Sequence, residues 1–348
     1  MRKPRQFASD NQSGICPEAF AAFQESNRGH ASSYGEDEWT EQACDSIRKV
    51  FETDCEVFFV FNGTAANALA LAQVCRPYHS VICHEAAHLA TDECAAPEFF
   101  GSGTKIIPLT GPNGKLFPSI IEPILKLGHG IHAPKPRAVS ITQGTELGTV
   151  YSVAEIKALS AECRRLGLRL HMDGARLANA IVSLDVKPRK ATWEAGVDVL
   201  SFGAVKNGGA IGEAVVFFDR ALAEEFDYRC KQAGQLASKM RFLAAPWIGL
   251  LNKGAWLRHA RHANTMAQKL AAALKKYPQV KIAFPVEANA VFVQIPTVVA
   301  DGLHAQGWHF YWMDAAQSWR LMCSWDTTEN DVRHLVADLL VSLRAARR

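Results

Sequence analysis

Apolar residues along this chain come in short runs separated by stretches with helical spacing. Cys55–Phe61, Ser80–Cys83, Lys105–Leu109, Arg137–Thr142, Leu168–Met172, Ala195–Leu200 and Glu213–Phe218 are rich in Val, Ile, Leu and Phe. Runs of this length and composition predict strands, most of them buried. Between them the pattern changes. Ala65–Val74 is alanine-rich. Val153–Leu166 carries apolar residues at 153, 156, 159 and 166 and is followed by Gly167. Both predict helices, as do Ala175–Leu184 and Pro118–Leu127, the latter with a kink expected at Pro123. Glu36–Phe51, acidic at its start and basic at its end, predicts a helix after a polar, glycine-containing N-terminal segment. Alternation of this kind predicts an α/β fold with a mostly parallel, doubly wound sheet.

The rhythm shifts after Glu213–Phe218. Residues 221–276 read as mainly helical, with a break expected near Pro246. Beyond Pro278, Val280–Phe284, Ala290–Ile295, Trp308–Trp312 and Trp319–Cys323 predict short strands, and Glu329–Arg344 an amphipathic closing helix. The expected organisation is a large α/β domain with its N-terminal segment over residues 1–250, and a small C-terminal α+β domain over 251–348.

Composition narrows the class of protein. Of the 348 residues, 48% are hydrophobic and 21% charged, enough for a large core. A net charge of +3 with no long basic run gives no footprint for nucleic acid. No apolar stretch approaches a membrane span, and the basic N-terminus lacks the apolar segment of a signal peptide. Nine cysteines without a CxxC pair suit reduced thiols in the cytoplasm better than a disulfide framework.

Three candidate sites fall at predicted strand ends, where ligands collect in such sheets. Lys206 stands in the glycine-rich exit of one strand, Ser201-Phe-Gly-Ala-Val-Lys-Asn-Gly-Gly. A desolvated lysine there is a nucleophile toward carbonyls and a candidate Schiff-base partner of pyridoxal phosphate (PLP); the plain alternative is a lysine in a surface loop. Asp173, in His171-Met-Asp-Gly-Ala-Arg176, can keep a heterocyclic nitrogen protonated, or can simply cap a helix beside its arginine. Asn62-Gly63-Thr64 precedes a helix and offers amides to a phosphate, or a threonine cap. In the small domain, Arg320 on a strand needs an anion, either a substrate carboxylate or an internal Asp or Glu. His84-Glu85-Ala-Ala-His88 matches the HExxH zinc signature, which requires a continuous helix. Off such a helix, His88 can lie flat on an aromatic ring instead.

These pieces occur together, in order, in one family. The chain resembles the low-specificity L-threonine aldolases, PLP enzymes of the fold type I, aspartate-aminotransferase-like class. The resemblance runs from Gln6 to the final helix. It is carried by Ala8-Ser-Asp10, Ala31-Ser-Ser-Tyr34-Gly-Glu-Asp37, Phe61-Asn-Gly-Thr64, Ala87-His88, Ile131-His132, His171–Arg176, Val205-Lys206-Asn-Gly208, Lys239-Met-Arg241 and Arg320-Leu-Met.

The resemblance implies that Lys206 forms the Schiff base, Asp173 pairs with the ring nitrogen, Gly63 and Thr64 bind the phosphate and His88 stacks on the ring. It implies that Arg176 lies near cofactor and substrate, that Arg320 grips the substrate carboxylate with help from Ser9, and that His132 contacts the substrate hydroxyl. Tyr34 and Arg241 match positions that shape active sites at a dimer interface, Arg241 on the cofactor side, within a homotetramer. His88, His132 or a water is the implied base. The implied reaction cleaves L-3-hydroxy-α-amino acids, including L-threonine, L-allo-threonine and L-phenylserine, to glycine and an aldehyde. Transamination, β-elimination or racemisation on the same scaffold is the first alternative; a zinc hydrolase and a non-catalytic binding protein are the others. Two departures stand out. Val205 replaces a small hydroxylic residue before the lysine, and Thr142-Gln143-Gly144 replaces a Thr-His-Asn segment.

Overall fold

The computed structural model describes residues 5–127, 130–314 and 317–346. Its strands run in chain order β1 (Arg5–Gln6), β2 (Glu56–Val60), β3 (His79–His84), β4 (Lys105–Leu109), β5 (Lys135–Thr142), β6 (Arg169–Gly174), β7 (Val199–Phe202), β8 (Glu213–Phe217), β9 (Lys281–Ile282), β10 (Ala290–Gln294), β11 (Trp308–His309), β12 (Tyr311–Met313) and β13 (Ser318–Met322). Seven form the central sheet in the order β2-β8-β7-β6-β5-β3-β4. All its strands are parallel except β8, which pairs antiparallel with both β2 and β7. The apolar runs predicted this sheet because its central strands are covered on both faces. Every residue of β3, β7 and β8 is buried.

Helices Gly63–Val74, Val153–Arg165 and Leu177–Leu184 connect the strands. Gly63–Val74 is buried almost all round, so its alanines let the sheet approach closely. Ser152 caps Val153–Arg165 through a reciprocal bond with Glu155. Pro118–Leu127 divides into a 3-10 turn over Pro118–Ile120 and a short helix Ile121–Lys126 that holds Pro123 in its first turn.

Two expectations fail in instructive ways. Pro246 does not break its helix, which runs unbroken over Arg241–Leu251. The breaks fall where backbone geometry demands them, at Lys253 and Gly254, both with positive φ. The expected strand Trp308–Trp312 is two strands in two sheets, β11 and β12, on either side of Phe310. The N-terminal segment also contains a helix, Pro17–Ser26, with proline at its first position. Thr297–Ala305 is a further helix that periodicity did not reveal.

The C-terminal strands form the antiparallel sheet β12-β13-β10-β9, backed by Glu329–Ala345 and the second half of the helix Ala255–Leu274. The first half of that long helix, at Trp256 and Ala260, belongs to the core under the large sheet. The N-terminus crosses the other way. β1 pairs parallel with β11, and Phe7 is completely buried in the C-terminal core, its ring centroid 5.8 Å from that of Trp308. Phe7 N–H donates to His309 O at 2.7 Å, and Met322 N–H donates to Phe7 O at 2.7 Å. The segment that follows, Ala8–Asp10, is thereby drawn over the carboxyl end of the large sheet.

Truncating Phe7 removes this clasp. Phe7→Ala is expected to cost ~3–5 kcal/mol, the range for a buried aromatic cut to alanine. Urea denaturation measures it, and a loss below ~1 kcal/mol would show that the N-terminal strand is held by its backbone bonds alone.

Candidate active site

β6 and β7 lie side by side, with Asp173 opposite Ser201. The chain leaving β7 turns through Val205–Asn207 in a single 3-10 turn, closed by Gly208 at φ +91°. Gly209 is required here by contact: a Cβ would come within 2.8 Å of the Ala204 backbone. Beneath the turn, Glu213 at the start of β8 accepts the Ala204 N–H at 2.5 Å, and burial pushes its carboxyl up to about 7. The turn delivers Lys206 into a cavity of about 880 Å³ at the carboxyl end of the sheet. Burial, then the Arg176 charge, lowers its pKa from the ordinary value, while Asp10, Asp173 and Glu213 pull it back. The lysine is therefore a desolvated amine rather than a surface one.

Asp173 is 5% exposed. It accepts the Ala175 N–H at 2.9 Å and the Asn67 side-chain amide at 2.8 Å. Burial alone would raise its pKa, but Lys206, Ala175 and Asn67 outweigh burial and leave it below the ordinary value. An ionised carboxylate is thus fixed in a dry place. Two residues back on the same strand face, His171 is held between Ser140 and Ser201 at 2.8 and 3.0 Å, and burial takes it down to about 4. Asp173 is no helix cap paired with its neighbour, because Arg176 turns to Asp10 instead.

Arg176 donates through Nε and Nη2 to the two oxygens of Asp10, at 2.8 and 2.9 Å. Asn289 Nδ2 adds a third bond to Asp10 at 3.1 Å. Asp10 thus ties the N-terminal segment to the large sheet and to the loop before β10. Ser9, on the cavity wall, caps the turn Asp10–Gln12 through its hydroxyl.

Asn67 links Asp173 to His88. The same amide nitrogen that binds Asp173 also donates to Glu93 Oε1 at 2.8 Å. Glu93 Oε1 lies 2.8 Å from His88 Nδ1. Because that oxygen accepts from Asn67, the imidazole donates to it, which fixes the ring and raises the His88 pKa. Asn67 is one helical turn beyond Gly63-Thr64, so the helix whose N-terminus carries their amides is the one that also holds Asp173. The cap of that helix is Asn62, whose side chain accepts from Ala65 N–H; Thr64 is left out of the capping bond. Val205 contributes no side-chain oxygen to this region.

Arg320 reaches the cavity from β13. Its Nη2 donates to Ala8 O at 3.1 Å, and its Nε is buried without a partner. Among the described residues no carboxylate pairs with it, so the internal Asp or Glu partner weighed for it is absent.

Six sequence-level candidates, Asp173, Gly63, Thr64, Tyr34, Arg241 and His132, lie outside the cavity lining, and one motif dissolves. Asp173 is tied to the Gly63–Val74 helix through Asn67. Tyr34 is half exposed at φ +58°, with Lys231 over its ring at 4.5 Å. Arg241 begins a helix, and its Nε and Nη1 are buried without partners. His132 is exposed on a 3-10 turn whose neighbours Ile131 and Ala133 line a separate apolar cavity of about 770 Å³ beside β4. The HExxH match is not a helix: His84 ends β3, and both its ring nitrogens are occupied, by Ala86 N–H and by Gly111 O. The zinc hydrolase loses its structural basis on that geometry. Sequence reasoning passed over Asn67, Glu93, Glu146, Asp10 and Glu213 as site residues. A lone asparagine in an otherwise apolar, alanine-rich helix was the available signal for the first.

A partly buried lysine beside a buried aspartate, a helix N-terminus one turn before the asparagine that binds that aspartate and an anchored histidine fit PLP, with an arginine free of any carboxylate left for an acid. On this fold and this site the protein is a fold type I PLP enzyme. It belongs to the β-eliminating lyase family, whose model matches residues 6–297, and within it to the low-specificity threonine aldolases. It is 58% identical to the low specificity L-threonine aldolases of a Pseudomonas species and of Pseudomonas aeruginosa, in each case over 98% of this chain and 99% of the relative. The solved threonine aldolase of Leishmania major superposes with a TM-score of 0.90 at 30% identity, covering 97% of this chain and 99% of that one.

The Asp10–Arg176 pair makes a separable prediction. Burial raises the Asp10 pKa, but Arg176, Lys206 and Asn289 together leave it below its ordinary value of 3.8. Its stabilisation is therefore full above that value and fades as pH falls through the lower, folded-state value. Asp10→Asn strands a buried guanidinium and is expected to cost ~3–5 kcal/mol at neutral pH. Thermal melts from pH 7 downward should show the gap between wild type and variant closing below pH ~4, the ordinary aspartate range.

Proposed function

We propose that this protein is a carbon–carbon lyase that cleaves L-threonine, L-allo-threonine and related L-3-hydroxy-α-amino acids such as L-phenylserine to glycine and an aldehyde, reversibly. The observation that carries the reading is Lys206, partly buried in the lining of a cavity that Arg320 also lines, with the fixed carboxylate of Asp173 acting on its charge. The close relatives carry the name of that activity.

The residues divide the work as follows. Lys206 is the amine that would hold PLP, and Asp173 would keep a proton on its ring nitrogen. The Gly63 and Thr64 amides would receive the phosphate, and His88 would cover the ring, set at its angle by Glu93. Bound PLP supplies an electron sink for the pair released at Cα. Arg320, helped by Ser9, holds the substrate carboxylate, which fixes the direction of the Cα–Cβ bond. Arg176, neutralised by Asp10, supports the pocket from behind. The departure Thr142-Gln143-Gly144 lies behind the cavity and bears on it through the Thr142 hydroxyl, which donates to the lining residue Glu146. Gln143 is fully buried, bonded at both ends of its amide to the Tyr151 backbone.

A homotetramer with active sites at a dimer interface is part of the same proposal. The exposed rings of Phe61 and Tyr34 support it, since large apolar rings left in water suit a facing subunit. In such an assembly Tyr34, Arg241 and His132 would complete a neighbouring site. Nine free thiols support a reducing, cytoplasmic setting.

Purified protein is expected to be yellow and to convert L-threonine to glycine and acetaldehyde. Keto acid or ammonia as the product would point instead to transamination or elimination. Lys206→Ala should abolish both the colour and the turnover. Arg320→Ala removes charge-assisted hydrogen bonds worth about 1.5–3 kcal/mol, so the KM for L-threonine should rise roughly 10- to 100-fold. An unchanged KM would show that another group holds the carboxylate.

A further inference from the structure

We propose that Glu146 is the group that takes the proton from the substrate's β-hydroxyl. The inference rests on the aldolase reading and assigns the base that reading needs. Glu146 stands in the turn after β5 and lines the same cavity as Lys206, His88, Arg176 and Arg320. Its Oε1 accepts the Thr142 hydroxyl at 2.8 Å and the His88 N–H at 2.9 Å. Its Oε2 is buried and has no partner. A carboxylate that only anchored Thr142 and His88 would need Oε1 alone. A bare buried oxygen is costly unless a hydroxyl or a proton reaches it.

The other candidates are placed for different work. His88, held through Nδ1 by Glu93, is the residue assigned to cover the cofactor ring, and His132 lies outside the cavity lining. The two other carboxylates on the wall are more exposed and already bonded to hydroxyls, Glu85 to Thr110 and Asp92 to Thr91. The charged and titratable groups facing Glu146 are Asp173, Arg176, His88, Cys83 and Tyr151, with Lys206 and Arg320 across the cavity. Burial first, then Asp173, raises its pKa above the ordinary value; its hydrogen bonds to Thr142 and His88 oppose this without cancelling it. A raised carboxyl is a better proton acceptor and nearer its working pH.

The step balances without any oxidant or reductant. Oε2 takes the hydroxyl proton. The freed oxygen pair becomes the second bond of the aldehyde carbonyl as Cα–Cβ breaks. The pair left at Cα takes a proton drawn from water into a new C–H bond of glycine, and Glu146 returns the hydroxyl proton to water, so that no net proton is gained or lost.

Holoenzyme carrying Glu146→Gln tests this, since the amide oxygen can still accept from Thr142 and His88. Wild type is assayed first; if it yields no glycine and acetaldehyde from L-threonine, the aldolase reading fails and the inference falls with it. Otherwise kcat of the variant is expected to fall ~10²–10⁴-fold, the usual contribution of a general base. Exchange of the glycine α-hydrogen in heavy water, which uses no hydroxyl, should stay within about threefold of wild type, and the acid limb of the kcat profile should vanish. A kcat within about tenfold of wild type overturns the proposal, as does a parallel loss of exchange, which would make Glu146 a support for His88. Should the variant not fold, Thr142→Val weakens the bonding to the charged carboxylate and is expected to move the acid limb to higher pH; an unmoved limb overturns the assignment.

Discussion

Four charges held out of water at one end of a sheet set the terms for the rest of this molecule. Lys206 and Arg176 face Asp10 and Asp173, and each is tolerable only because the others are there. Asp10 is brought by the segment after an N-terminal strand that pairs with β11, Asp173 by β6, Arg176 by the turn that follows β6, and Lys206 by the turn after β7. Asn289, from the loop before β10, completes the Asp10 contacts. The two cores are therefore joined through a polar cluster as well as through the helix Ala255–Leu274. A charge cluster of this kind is weak as a source of stability but strong as a constraint on geometry, because removing one member strands the others.

The same economy explains the second layer of the site. One amide nitrogen, that of Asn67, bridges Glu93 and Asp173, two carboxylates that would otherwise repel. Through Glu93 it also reaches His88. The helix Gly63–Val74 thus supplies, one turn in, the group that positions both Asp173 and His88. On the proposed roles, the phosphate end, ring nitrogen and ring face of a planar cofactor would be referred to one rigid element. Two residues with buried unpartnered polar atoms, Glu146 at Oε2 and Arg320 at Nε, also line the cavity. An incomplete hydrogen-bond set on the side where ligands enter is what a binding cavity requires.

Sequence and structure part company at identifiable places. Pro246 was expected to interrupt a helix, and the helix ignores it because burial on both sides outweighs one lost backbone bond. Trp308–Trp312 read as one strand because every residue in it suits a pleated surface, yet the chain changes sheets at Phe310. His84–His88 matched a metal signature whose meaning depends on a helix that is not there. His132, Tyr34 and Arg241 were carried by resemblance alone, and one chain does not bring them to its own cavity.

By itself the sequence determined the alternation of buried strands and helices, and with it a parallel sheet whose carboxyl ends gather Lys206, Asp173 and the Gly63-Thr64 turn. Those features are local: apolar run length, helix spacing and a glycine-rich exit all lie within a few residues of one another. It could not determine partners far apart in the chain. That Asp10 pairs with Arg176, that Asn67 joins Asp173 to Glu93 and that Glu146 holds Thr142 and the His88 backbone through one oxygen follow from contacts across the sheet. No periodicity encodes such contacts. They are chosen by the cost of leaving a buried charge alone, and that cost exists only once the tertiary fold has excluded water.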